Sequence, residues 1–268
     1  MKNSIFELRT QDHLKEFINE WALIADIDKE KAFDLANGTI RYFNKRKNSF
    51  KTFQDLEDRW YESLEKGNPD YSIYNDKYII SDIWACWVIF SRGYLLSIAD
   101  KRSLIDHSIV SDMTEIKSIL DLGCGFGYTT AGLKELFPQA NVYGTNFEGG
   151  YQWNLAKNLG KKYNFSMIPS IDYLDEPIDL IFASEYFEHI ENAVEHLKDI
   201  VEKCKPKALI VANAFGTKSI GHFIYHKYEN NFFDGKSTSK LFNDFLKSKG
   251  YKRIKTKCWN NRPTYWKL

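Results

Sequence analysis

The chain has 268 residues, with 37 Lys and Arg against 36 Asp and Glu, so its formal net charge is +1. That balance supplies no global field to draw in nucleic acid or an anionic membrane, and a polyanion would need a local patch. Hydrophobic residues at 43% and aromatics at 16% exclude a disordered chain, and the length suits one α/β domain of roughly 150 residues plus a smaller unit.

The N-terminus reaches Glu7, Arg9, Asp12 and Lys15 without the apolar segment of a secretion signal. Up to about Asp112 apolar residues recur at three- and four-residue spacing, which predicts helices. Leu14, Phe17, Ile18, Trp21 and Ile24 form one stripe; Ile80, Ile83, Trp84, Trp87, Tyr94, Leu95 and Ile98 form another. Asn37-Gly38 and Gly67-Asn68-Pro69 are turn signals between them. The apolar run from Ile79 to Ala99 is interrupted by Asp82 and Arg92, and its uncharged part is far short of the roughly 20 residues a bilayer needs, so no membrane span is expected. Residues 1–112 are therefore expected to form a helical domain. Tyr71, Tyr74 and Tyr78 stand near Trp84 and Trp87, an aromatic stretch that suits either a core or the wall of a pocket for a small organic molecule.

From about Thr114 short β-branched or apolar runs alternate with amphipathic stretches, the pattern of a parallel sheet with crossover helices. Strands are predicted at Lys117 to Asp121, Asn141 to Thr145, Phe165 to Ile168, Ile178 to Ala183 and Ala208 to Ala212. Helices are predicted around Tyr128 to Phe137, Gly150 to Leu159, Asn192 to Lys203 and Ser239 to Lys249, the last after a long segment from Phe215 to Gly235. Tyr251 to Cys258 and Pro263 to Leu268 read as a hairpin across Asn260-Asn261. Residues 113–268 thus form an α/β domain with a seven-stranded sheet. Cys86, Cys124, Cys204 and Cys258 have no metal-ligand spacing and read as the reduced thiols of a cytoplasmic protein.

The segment Ile119-Leu120-Asp121-Leu122-Gly123-Cys124-Gly125-Phe126-Gly127 leaves the first predicted strand and enters a helix. Glycines at alternate positions let the backbone approach a ligand closely, and the helix N-terminus offers unpaired N–H groups. Asp-Leu-Gly-Cys-Gly-Phe-Gly resembles motif I of the class I S-adenosylmethionine-dependent methyltransferases, and the similarity runs over roughly the last 155 residues. The resemblance implies a Rossmann-like fold and S-adenosylmethionine as cofactor. It places the methionine part on this loop, with Asp121 near the amino group and Gly123, Cys124, Gly125 and Gly127 around it. The family's ribose-binding acid would stand at Asn146; either that amide takes the ribose or Glu148 turns in to replace it, and Asn146 is favoured. Phe147 could pack on adenine or in the core, and Asp172 is a candidate near the adenine amino group or a solvated loop carboxylate.

The run Asp179-Leu180-Ile181-Phe182-Ala183-Ser184-Glu185-Tyr186-Phe187-Glu188-His189-Ile190 resembles motif IV in the version ending Glu-His-Ile. Ligands of open α/β sheets gather at the carboxyl ends of strands, so Glu185 to His189 should border the reaction centre. His189 suits a general base because imidazole ordinarily titrates near pH 6.5, with Glu185 toward cofactor and substrate; capping the next helix is the competing role for His189. His222 and His226 would share a helical face and could supply a base or two metal ligands. No third ligand stands at fixed spacing, and no metal is expected.

The Asp/Asn-Pro-Pro-Tyr/Phe motif of amino-methylating DNA enzymes is absent, as is a Pro-Cys nucleophile. The expected function is methyl transfer to an oxygen or nitrogen of a small-molecule acceptor, with His189 or His222 as base. RNA or DNA modification remains open through the basic residues Arg41, Lys45, Arg46, Lys47 and Lys51, and Lys247, Lys249, Lys252, Arg253, Lys255 and Lys257. A non-catalytic cofactor-binding subunit is the third alternative, suggested by Asn146.

Overall fold

A computed structural model describes residues 10–34, 36, 51–75, 85–258 and 263–268. The N-terminal region contains α1 (Thr10–Ala25), α2 (Lys51–Glu65) and α3 (Ala85–Ala99), with residues 29–34 also helical and a 3-10 turn at Tyr71–Asn75 between α2 and α3. A short helix α4 (Ile109–Asp112) leads into β1 (Ser118–Leu122), α5 (Tyr128–Leu136), β2 (Asn141–Thr145), α6 (Tyr151–Tyr163) and β3 (Ser166–Ile168). There follow β4 (Leu180–Ser184), α7 (Ala193–Cys204), β5 (Ala208–Ala212), the hairpin β6 (Tyr225–Tyr228) and β7 (Asn231–Asp234), α8 (Gly235–Ser248), β8 (Lys252–Ile254) and β9 (Thr264–Lys267).

Seven strands form one sheet in the order β3-β2-β1-β4-β5-β9-β8. The first five are mutually parallel, and β9 runs antiparallel to both β5 and β8. All five residues of β1 and of β5 are buried, as expected of central strands covered on both faces. Successive side chains go to opposite sides. Ile119, Phe182 and Ile210 join Leu14, Trp21, Tyr94 and Leu133 in one cluster, so α1, α3 and α5 cover that face. Leu120, Ile181 and Leu209 join Leu197, Ile200, Phe242 and Leu246 in the other, under α7 and α8. The N-terminal helices therefore complete the hydrophobic layer of the sheet. Phe17 and Trp21 of α1 pack on Phe126 of the glycine-rich turn, with ring centroids 4.9 and 5.7 Å apart.

The five parallel strands lie within two residues of the sequence prediction. The C-terminal strands pair as expected, but β8 stops at Ile254; Asn260 and Asn261 lie outside the described residues, as do Arg41, Lys45, Arg46, Lys47, Tyr78 and Trp84. The segment from Phe215 to Gly235 is a correction: it contains β6 and β7, joined through Glu229 and Asn230 with φ of 47° and 64°. Paired left-handed residues suit the twist of a two-residue hairpin. Among the described residues no helix is long and apolar enough to cross a membrane. Cys124, Cys204 and Cys258 are free and buried.

Candidate functional site

Because β1 has β2 on one side and β4 on the other, the chain reverses direction of winding there, and a crevice opens at the strands' carboxyl ends. A cleft of about 1800 Å³ occupies this place, lined by Asp121, Gly123, Gly125, Asn146, Glu185 and His189 among others. Ordinary ligand pockets hold about 300–1,000 Å³, so there is room for two molecules side by side.

Gly123, Gly125 and Gly127 have φ of 63°, 56° and 86°, a region that costs any other residue. A Cβ on Gly123 would overlap the Tyr186 ring, and one on Gly127 would come within 3.2 Å of Ala156. At Gly125 the same atom would meet nothing within 4 Å; the cradle is open there. The turn is braced by Thr145, whose hydroxyl accepts from Gly123 N at 3.1 Å and whose carbonyl accepts from Cys124 N at 2.9 Å. Asp121 is 2% exposed and accepts from the Thr130 hydroxyl at 2.7 Å. Burial pushes its carboxyl up to about 7. A buried acid, an open glycine and a helix start with no side-chain cap at Gly127 fit the cationic amino acid end of S-adenosylmethionine.

Asn146 braces the same turn: its Nδ2 donates to Gly125 O at 2.9 Å and its Oδ1 accepts from Phe147 N at 2.8 Å. Phe147 is 68% exposed over the cleft with Tyr71 as its aromatic neighbour at 6.1 Å. Glu148 is exposed and also lines the cleft. Asp172 lines the far wall, but its carboxylate is held by Lys203 at 2.8 Å and by the Ser170 hydroxyl. Cys124 presents backbone to the turn while its thiol is buried 3.7 Å from Met167 Sδ.

The other end of the cleft is assembled from distant segments. Glu185 leaves β4 with φ of 53°, anchored by its N–H to Ala212 O at 2.8 Å. Glu188 is fully buried; its Oε1 accepts from Ala214 N at 3.1 Å, while Oε2 meets no donor other than the adjoining Glu185 carboxyl. Burial and the adjoining Glu185 carboxyl push Glu188 well above the usual carboxylate range. His189 Nδ1 lies 3.0 Å from Gly221 O and 2.9 Å from the Tyr74 hydroxyl. A carbonyl only accepts, so Nδ1 carries the proton and Nε2 keeps the lone pair. The His222 ring stands perpendicular to it at 4.7 Å and likewise points Nδ1 at a carbonyl, Thr217 O, at 3.0 Å. Burial and then the His222 charge pull His189 down to about 3. Burial lowers His222 as well. Both rings are neutral at pH 7.

This end is roofed from the N-terminal region. The Trp60 indole N–H donates to His222 O at 2.8 Å, and the Tyr61 hydroxyl bonds both Ser219 O and Ser219 N at 3.1 Å. Leu56, Trp60, Ile73, Ile220 and Phe223 form a small core of their own beneath the roof. Gly221, with φ of 77°, lets the loop close, since a Cβ there would overlap the Tyr74 hydroxyl.

Glu185, His189 and His222 are thus brought together, and Tyr74, Glu188 and Gly221 join them. The pairing of His222 with His226 on one helical face is corrected: His226 lies in β6, its Nδ1 3.0 Å from Ile190 O. His189 at about 3 is also far from the near-neutral base its residue type suggests. Of the C-terminal basic residues, Lys252 pairs across Lys267 with Ala208, the start of β5, at the sheet end opposite the cleft. Lys247 and Lys249 face Asp244 and Glu202. Among the described lining residues Lys218 is the basic one, against Asp121, Glu148, Asp172, Glu185 and Asp199.

Residues 120–210, from β1 through β5, match a family described as "Methyltransferase domain". The chain is 26% identical over 162 residues to malonyl-[acyl-carrier protein] O-methyltransferase 2 of Ilyobacter polytropus, covering 56% of this chain and 60% of that protein. It is 25% identical over 104 residues to a ubiquinone biosynthesis O-methyltransferase of Rickettsia bellii, covering 38% and 42%. The matches therefore span less than two thirds of these relatives' length. A solved structure of a candidate O-methyltransferase from Nostoc punctiforme shares the fold, with a TM-score of 0.51 at 12% identity over 82% of this chain and 70% of that one.

Proposed function

We propose that this chain, whose residues 120–210 match a methyltransferase domain, uses S-adenosylmethionine to transfer a methyl group to an oxygen or nitrogen of a small-molecule acceptor. The observation that carries this reading is the continuity of one cleft from Gly125 and Asp121 to Glu185, His189 and His222. Bound S-adenosylmethionine supplies a methyl group already activated on a sulfonium sulfur. The Asp121 carboxylate holds the amino group at the closed end, and the glycine backbone fixes the register of the rest. Asn146 reaches the ribose through the second lone pair of its amide oxygen, the first being taken by Phe147 N, and is a weaker acceptor than the family's carboxylate. Phe147 and Asp172 border the base. At the other end Glu185, His189 and His222 orient the acceptor, and Tyr74 with the loop at 217–222 excludes water around it.

Oxygen is favoured by the chemistry named in the two curated relatives, both O-methyltransferases. The acidic lining opposes a polyanionic acceptor. The reading is tested by calorimetry with S-adenosylmethionine and S-adenosylhomocysteine, where one site per chain is expected; a chain that binds neither is not a methyltransferase. Binding that falls steeply with salt when short RNA or DNA is added would replace the small acceptor with nucleic acid.

A further inference from the structure

One donor atom from each of Glu188, His189 and His222 lies within 4.8 Å of the other two. Each imidazole gives its Nδ1 proton to a backbone carbonyl, Gly221 O or Thr217 O, which leaves Nε2 as a lone pair and fixes the ring. Outer hydrogen bonds of this kind orient histidines that bind metals. Glu188 adds a carboxylate whose Oε1 is held by Ala214 N and whose buried Oε2 meets no donor other than the adjoining Glu185 carboxyl. Glu185 adjoins it with a second carboxyl group. A buried acceptor short of donors is costly, and two neutral lone-pair nitrogens cannot donate to it. A cation placed between them would satisfy the two Nε2 lone pairs and the Glu188 carboxylate at once. None of the three is an element of the glycine turn, so the arrangement is not required by cofactor binding.

We propose that Glu188, His189 and His222 form a binding site for a divalent transition-metal cation, which holds the oxygen of the methyl acceptor. Two imidazoles and a carboxylate are a mixed nitrogen and oxygen set, suited to manganese, iron, cobalt or zinc more than to calcium or magnesium. Three protein ligands leave positions open for the acceptor, and Glu185 stands beside them to take its proton. The acceptor's role rests on the methyl-transfer reading; the ion's binding does not. A coordinated hydroxyl loses its proton far more readily than a free one. The hydroxyl proton passes to the Glu185 carboxylate and then to solvent. The oxygen forms a bond to the methyl carbon as the sulfur–carbon bond breaks, and the sulfur keeps that electron pair and leaves uncharged.

The test uses the full chain stripped with a chelator and titrated with Co²⁺, followed by visible absorption, and with Mn²⁺, followed by calorimetry. One saturable site per chain is expected, with a Co²⁺ spectrum that reports nitrogen ligands. Glu188→Gln keeps the shape and removes the charge; His222→Ala removes one nitrogen. Each should weaken ion binding by about tenfold or more, while S-adenosylmethionine affinity stays within about threefold, and far-UV circular dichroism verifies the fold of each variant. If either variant does not fold, the Co²⁺ spectrum of the wild type decides, because ligation by oxygen alone would overturn the site. Absence of saturable binding, or binding that both folded variants leave intact, would also overturn it. Loss of S-adenosylmethionine binding in the wild type would instead remove the methyl-transfer reading and leave the ion site standing.

Discussion

The two ends of the cleft are built in opposite ways. The cofactor end is a strand, a turn and a helix start within Ile119 to Thr130, braced from β2 by Thr145 and Asn146. The acceptor end joins Tyr74 to His189 across 115 positions and His189 to Gly221 across 32. Local geometry builds the first; tertiary packing builds the second. The first should therefore respond to changes in backbone freedom at single glycines, and the second to the packing of the roof.

The largest effect is expected at Gly125. An Arg there must adopt a left-handed conformation, which costs on the order of 1 kcal/mol, and its side chain enters the open cradle. Gly125→Arg should weaken S-adenosylmethionine binding by about 100-fold or more, equivalent to roughly 2.7 kcal/mol. Unchanged affinity by calorimetry would mean that the cofactor lies elsewhere. Gly221→Ala is the matching change at the acceptor end. The new methyl group overlaps the Tyr74 hydroxyl, and the left-handed φ adds strain, so unfolding stability should fall by about 1–3 kcal/mol. Cofactor affinity should change by less than about threefold. If it drops in step with stability, the two ends are one cooperative unit and the contrast between them fails.

That contrast also governs what could be read from the residues alone. The glycine turn was legible because all its determinants are contiguous, and the parallel strands because their apolar runs are set off by amphipathic helices. Asn146 was placed at the right strand end, but its bond to Gly125 O depends on how β2 lies beside β1, which no spacing states. Four residues separate His222 from His226, a helical distance that predicts a shared face. Gly221 in the left-handed region and a strand at Tyr225 break that period, and His222 turns to Glu188 and His189 instead. Tyr74 stands among other aromatics in the sequence; nothing in its neighbourhood announces that its hydroxyl meets an imidazole from the turn after β4.

A smaller effect separates the ends by pH. The Asp121 carboxyl stands at about 7 in the ligand-free chain, so below that pH it is protonated and cannot attract an ammonium group. Binding of a cation favours the ionised form, hence S-adenosylmethionine affinity should climb as pH rises through about 7. It should decline again once an α-amino group deprotonates, near 7.7–8.0 for an unperturbed one. Asp121→Asn should flatten the acidic limb. A pH-independent affinity in the wild type would show that Asp121 does not meet the amino group. His189, already neutral far above its pKa of about 3, contributes nothing to this profile between pH 5 and 9.

The smallest effect isolates the roof. Trp60 is fully buried and packs edge-on against Phe223 and Tyr71 at 5.4 and 5.8 Å. Its one polar tie is the indole N–H to His222 O. Trp60→Phe keeps an aromatic ring in that core and removes the donor, leaving a buried carbonyl without this bond. The cost should be about 1–2 kcal/mol by denaturant unfolding, the range for an orphaned buried acceptor. Cofactor affinity should be untouched, because no atom of Trp60 reaches the glycine turn in the contacts described. A loss of stability below about 0.5 kcal/mol would mean that His222 is held by its Thr217 bond and the loop alone, and that α2 covers the acceptor end without positioning it.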